Sequence, residues 1–76
     1  MKSADLYIIP VCNYCDIARA LLKKYRIEYR EFDVSKDKEA RERMIELSHQ
    51  KGVPVVDFGD EVFVGFNRAE LERALQ

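Results

Sequence analysis

Pro10-Val11-Cys12-Asn13-Tyr14-Cys15-Asp16 joins two segments of different hydrophobic period, and that change of period places the two sulfurs. Upstream, Leu6-Tyr7-Ile8-Ile9 has the aliphatic and aromatic make-up of a buried strand. Downstream, Ala18, Leu21, Leu22 and Tyr25 recur at i, i+3, i+4 and i+7, the spacing of one helix face. Cys12 therefore stands where a strand hands over to a helix. The first turn of a helix has unpaired backbone N–H groups and the positive end of the macrodipole, and both favour thiolate over thiol. Thiolate is the nucleophile of disulfide exchange. Asp16 suits the dipole but opposes a second negative charge beside it, so the expected net effect is a Cys12 thiol more acidic than a free one, by less than the helix end alone would give.

The spacing carries as much as the position. C-x-x-C puts one sulfur at the helix start and the other about one turn later, within bonding reach, so that one can attack and the other resolve. Next to a βαβ pattern this is the arrangement of a redox dithiol. A structural zinc site needs four ligands, and beyond Cys12 and Cys15 the chain offers one histidine, His49, and no second cysteine pair. A closed zinc site within one chain is thus disfavoured, and His49 reads as a surface residue near a helix end. Cysteines also serve as small buried hydrophobes, but that role does not explain a pair at a strand-to-helix junction.

Working outward, 76 residues predict one domain, 1–76, with one shared core. Hydrophobic residues at 47% and charged ones at 36% fit a folded domain with a solvated surface and argue against disorder. The formal charge is −1 with both signs interspersed, so there is no basic stripe for a phosphate backbone and nucleic acid is excluded as the expected partner. No run is long enough to cross a bilayer. Met1-Lys2-Ser3-Ala4-Asp5 lacks the apolar stretch of a signal peptide, which makes the cytoplasm the expected location. Two cysteines there suit cycling between dithiol and disulfide.

The order of elements follows. A first strand is predicted over Ala4 to Ile9, central in its sheet because it is apolar on both faces. A helix over Asn13 to Tyr25 and an edge strand over Glu28 to Val34 come next. Ser35 is the expected N-cap of a second helix from Lys36 to His49, with Ala40, Met44 and Leu47 inward. Gly52-Val53-Pro54 stops that pattern. Val55 to Phe58 and Glu61 to Val64 read as a hairpin closed by Gly59-Asp60. Asn67-Arg68-Ala69-Glu70 then has the form of a capping box ahead of a third helix carrying Leu71, Ala74 and Leu75. The class is α/β, in the order β-α-β-α-β-β-α, with a four-stranded mixed sheet flanked by helices.

With C-x-x-C after the first strand and Gly52-Val53-Pro54-Val55-Val56 before the hairpin, the chain resembles the glutaredoxin family over nearly its whole length. The resemblance implies a thioredoxin-like fold. It implies that Val53-Pro54 is a cis peptide facing the cysteines, with the Val53 main chain open to an extended substrate segment, and that Tyr14 flanks the substrate groove. A cis X-Pro bond is rare enough to suggest a purpose. Three departures stand out. Asn13 replaces the proline usual at the helix start, as in glutaredoxins that lack it, some of which hold a bridging iron–sulfur cluster between two subunits. Ile9 occupies a place where glutathione-binding members commonly carry lysine. Gly65-Phe66-Asn67-Arg68 lacks the second glycine and the aspartate of many glutathione users, and looks more like the redoxins that serve ribonucleotide reductase. Lys51, just before Gly52-Val53-Pro54, could still meet a glutathione carboxylate.

These features predict a dithiol oxidoreductase acting as an electron carrier, reducing protein or glutathione mixed disulfides, in which Cys12 attacks and Cys15 releases the product. The expected substrate surface is Tyr14, Lys51, Val53, Pro54, Gly65, Phe66 and Asn67. No resident cofactor or metal is expected, glutathione being a possible co-substrate. The expected partners are disulfide-bearing proteins and a reductase or glutathione as donor, with the chain a monomer. The alternative is an iron–sulfur-cluster carrier working as a dimer.

Overall fold

Strand β1 (Ser3–Ile8) ends in Leu6-Tyr7-Ile8, all buried, with Tyr7 on one face and Leu6 and Ile8 on the other, so the fold covers both faces there. The computed structural model describes residues 3–65 and 68–75, the side chain of Arg68 excepted. After β1 come α1 (Asn13–Lys24), β2 (Glu28–Asp33), α2 (Lys38–Ser48), β3 (Val55–Asp57), β4 (Val62–Val64) and α3 (Arg68–Leu75). The sheet order is β2-β1-β3-β4, with β1 parallel to β2 and antiparallel to β3, and β3 antiparallel to β4. The predicted central β1 and edge β2 are both found. Charged Glu28, Arg30 and Glu31 lie exposed on that edge, which guards it against pairing with another chain.

Alternation along β1 splits the core in two. Ala4, Leu6 and Ile8 pack with Ala18, Leu21 and Leu22 of α1 and with Leu71 of α3. Tyr7, on the opposite face, packs with Ala40 and Met44 of α2 and with Val55 of β3. Tyr7 is fully buried, stacks on Phe32 at 5.4 Å and accepts a hydrogen bond at its hydroxyl from Arg43 Nε at 2.9 Å, so its one polar atom is satisfied. Leu22 is fully buried as well. Truncating such a residue to alanine costs about 2–5 kcal/mol, so α1 is held mainly by its apolar face.

Two helix ends were not foreseen. The α2 N-cap is Asp37, two residues beyond Ser35, and the helix starts at Lys38. Asp37 Oδ1 accepts the N–H of Ala40 at 3.0 Å. Ser35 is already engaged: its N–H and its hydroxyl both donate to Asp33 Oδ1, in a turn whose Asp33 carbonyl accepts from Asp37 N–H at 2.9 Å. Those bonds, led by the Ser35 hydroxyl, hold the Asp33 carboxyl below its ordinary range. The other end is that of α1, where Arg26 takes the left-handed conformation (φ 56°) in which glycine is usual, and Ile27 N–H closes on the Leu22 carbonyl at 2.9 Å. His49, expected at the end of α2, stands there as its C-cap in the left-handed region.

The hairpin has the expected Gly59-Asp60 turn. Phe58 N–H donates to the Glu61 carbonyl at 2.9 Å, and Gly59 has a φ of 92°, the sign that such a turn requires at its first central residue.

Candidate active site

Beyond β1 the chain runs out to solvent and turns back at Cys12. Pro10 is exposed and Val11 is 90% exposed. Cys12 has extended backbone (φ −156°, ψ 107°) and is the N-cap of α1. A cap normally offers a side-chain oxygen to the free N–H groups of the first turn; here sulfur does so, with Cys15 N–H donating to Cys12 Sγ at 3.0 Å. Asp16 N–H donates to the Cys12 carbonyl at 3.1 Å. One turn on, Cys15 is 1% exposed and belongs to the core, whereas Cys12 is half-buried at its margin. The two are disulfide-bonded, with Cα atoms 5.2 Å apart. An N–H already directed at Cys12 Sγ would, after reduction, hydrogen-bond a thiolate, and such bonds strengthen when the acceptor is charged.

The carboxylate of Asp16 is exposed in the first turn of α1. Arg19 Nη1 donates to Asp16 Oδ1 at 2.8 Å and Arg19 Nε donates to Glu31 Oε1 at 2.6 Å. The Glu31 hydrogen bond first, then that of Asp16, raises the affinity of Arg19 for its proton. Arg19 therefore ties the Asp16 charge into a network along α1 and β2, which reduces the opposition to a thiolate at Cys12. Apolar side chains make up much of the rest of the exposed surface here: Tyr14 is 60% exposed and Ile17 is 37% exposed.

A second segment, Ser48 to Pro54, borders the same core. Val53 is half-buried and packs against both apolar clusters, sharing the first with Cys12, and Pro54 is fully buried. The Val53–Pro54 peptide is cis, as expected. Gly65, with a φ of 69°, donates its N–H to the Pro54 carbonyl at 2.9 Å, which ties the loop after β4 to this segment. Lys51 is exposed, and among the described residues no hydrogen bond or ion pair links it to the cysteines. Ile9 is half-buried in the second cluster. Phe66 and Asn67, with the expected cap at Asn67, lie outside the described residues.

Three residues were missed in the sequence: Arg19, Asp37 and Gln50, whose amide braces the chain before Val53. The Asp16–Arg19 spacing is a visible i, i+3 pair, but its link to Glu31 on β2 has no local signal. A cleft lined by Ser3, Asp5, Tyr29, Arg30 and Phe58 lies at the opposite end of β1 from the cysteines. Within it Arg30 Nε donates to Asp5 Oδ1 at 3.0 Å. Among the described residues no three His, Cys, Asp or Glu side chains gather as a metal site, and no helix is long and apolar enough to cross a membrane.

The family model described as Glutaredoxin matches residues 4–63. The chain belongs to the glutaredoxin family. It is 35% identical, over 71 residues covering 93% of this chain and 95% of the relative, to an uncharacterized glutaredoxin-like 8.6 kDa protein in the rubredoxin operon of Clostridium pasteurianum. Among solved structures it is similar to the thioredoxin-like protein BC3987, at 34% identity, a TM-score of 0.86 and coverage of 96% of this chain and 99% of that one. It also resembles the glutaredoxin-like NrdH-redoxin of Escherichia coli, at 21% identity, a TM-score of 0.80 and coverage of 93% and 92%, a likeness of fold alone. The fold is thioredoxin-like, and membership of the glutaredoxin family together with the Cys12–Cys15 pair supports a redox function.

Proposed function

We propose that this glutaredoxin-family chain is a thiol-disulfide oxidoreductase that reduces disulfides in proteins. The observation that carries the reading is the asymmetry of the pair: Cys12 half-buried at the helix start and accepting the Cys15 N–H, Cys15 buried one turn behind. The Cys12 thiolate attacks one sulfur of the substrate disulfide, the other sulfur leaves and takes up a proton, and a mixed disulfide forms. Cys15, giving up its proton, then attacks Cys12 Sγ, which releases the second substrate thiol and leaves the Cys12–Cys15 disulfide. Two electrons have passed to the substrate, and a donor dithiol must return them.

Protein substrates are favoured over glutathione by the surface beside Cys12. Val11 and Tyr14 offer exposed apolar area suited to docking on a protein. Glutathione carries two carboxylates and one ammonium, and half-buried, uncharged Ile9 cannot pair with a carboxylate. A charge-assisted hydrogen bond contributes roughly 1.5–3 kcal/mol, so each missing grip weakens glutathione about tenfold or more. Lys51 restores part of this if it reaches a carboxylate. The reading therefore places a thioredoxin-reductase type of donor ahead of glutathione, with no resident cofactor, in a reducing compartment such as the cytoplasm, and with the chain working as a monomer.

The test supplies the oxidised protein with NADPH and either thioredoxin reductase or glutathione with glutathione reductase, and follows NADPH consumption during reduction of a protein disulfide. Faster turnover with thioredoxin reductase is expected. Faster turnover with glutathione overturns the ranking, and a brown, iron- and sulfide-containing dimer on anaerobic reconstitution would favour a cluster carrier instead.

A further inference from the structure

Between the end of α2 and the start of β3, Gln50 closes its side chain on its own backbone. Its Oε1 accepts the N–H of Gly52 at 2.6 Å, and its Nε2 donates to the Gly52 carbonyl at 3.0 Å and to Ser48 Oγ at 3.1 Å. Ser48 Oγ in turn donates to the Met44 carbonyl at 2.6 Å, which anchors the brace on the last turn of α2. The carbonyl end of an amide only accepts and the amino end only donates, and both ends here have matching partners, so the orientation of the group is determined. Gly52, the most freely rotating type of residue, is thereby held on both sides.

The consequence falls on Val53. The Gly52–Val53 peptide is trans, so the Val53 N–H points opposite to the Gly52 carbonyl. Holding that carbonyl on Gln50 aims the Val53 N–H the other way. Among the described residues neither the N–H nor the carbonyl of Val53 has a hydrogen-bond partner. A main chain that is aimed, held and unpaired at the border of the core that Cys12 also borders is prepared to receive another extended chain.

We infer that Gln50 is a positioning residue for substrate recognition: it presets the Val53 main chain to pair with the extended peptide segment that carries the substrate disulfide. This rests on the reading of peptide disulfides as substrates. Without the brace, Gly52 must be ordered at the moment of binding, so the loss appears in substrate affinity and leaves the sulfur chemistry intact.

The experiment mixes the fully reduced protein with either of two disulfides in single turnover, quenches with iodoacetamide, and reads oxidation of the cysteine pair by mass. One substrate is the symmetric disulfide of an acetyl-Ala-Cys-Ala-Ala-amide peptide. The other is bis(2-hydroxyethyl) disulfide, which has no peptide groups. The natural protein should half-saturate at a lower concentration of the peptide disulfide. Gln50→Ala should raise that half-saturating concentration roughly threefold to tenfold, while the limiting rate and the rate with hydroxyethyl disulfide stay within about twofold. Gly52→Ala should do the same by a different route, because its Cβ would lie 2.8 Å from Gln50 Oε1 and displace the amide. Gln50→Glu, which keeps the acceptor and loses the donor, should fall between. Equal slowing with both substrates, or an unchanged half-saturating concentration for the peptide in Gln50→Ala and Gly52→Ala, overturns the role of Gln50. If the natural protein itself shows no preference for the peptide disulfide, the underlying reading of peptide recognition fails first, before any variant is compared.

Discussion

Residues 10–16 and residues 48–54 border one core, yet they are built to work with different parts of the chain. In the first segment the side chains carry the chemistry: sulfur at Cys12 and Cys15, with the backbone N–H of Cys15 in support. In the second we propose that the main chain of Val53 is what meets the substrate, with the side chains of Ser48 and Gln50 holding the peptide before it. The difference teaches where substitutions should hurt. A reactive atom has no substitute, whereas a main chain survives any change of its own side chain that leaves its path intact.

The largest effect expected is at the cysteines. Cys12→Ser should reduce disulfide-reductase activity to background, and Cys15→Ser should still attack substrate through Cys12 and accumulate the mixed disulfide, visible as a mass adduct that dithiothreitol removes. Iodoacetamide at neutral pH should label Cys12 first in the reduced protein, because Cys15 is 1% exposed. In the second segment, Lys51→Ala should leave single-turnover rates with the peptide disulfide within about threefold. A loss at Lys51 comparable to that at Cys12 would break the comparison.

Val53→Ala comes next, and sharpens it. The side chain packs against both clusters, so shortening it should lower stability by about 1–2 kcal/mol in urea unfolding. The main chain remains, so the limiting rate should change less than about threefold. Third, Asp37→Ala removes the N-cap of the helix whose last turn anchors Ser48, and should cost about 1 kcal/mol, with hydrogen exchange accelerated at the Ala40 amide.

The smallest expected effect returns to the first segment. Arg19→Ala frees the Asp16 carboxylate from its cation, leaving a less balanced negative charge in the first turn of α1. A thiolate at Cys12 is then disfavoured, so the pH midpoint of its alkylation should rise, by less than about half a unit because the pair is exposed. The shift should vanish in high salt, and a shift that persists there would mean that Arg19 acts by some other route than charge.

Most of the fold was legible because its signals are local and repetitive. The apolar run of β1, the i, i+3, i+4, i+7 stripe of α1 and the Gly59-Asp60 turn each constrain the backbone within a few residues. The misplaced α2 cap shows where that reading fails. Ser35 and Asp37 are both competent caps, and what decides between them is that Asp33 has already engaged Ser35. The same holds for Arg26, a residue with no left-handed preference, which adopts that conformation because Ile27 must turn back onto the Leu22 carbonyl to lead into β2.

By itself the sequence determined the pair of sulfurs, their place at the start of a helix and the order of elements that makes the sheet, because each depends on spacing along the chain. Only the tertiary structure decided that Asp37 and not Ser35 caps α2, that Arg19 joins Asp16 to Glu31 across two elements, and that Gln50 folds back on Gly52 to aim the peptide before Val53. Exposure and hydrogen-bond partnership depend on which groups arrive from elsewhere in the chain to compete for the same space and the same donors, and no local pattern of residues encodes that competition.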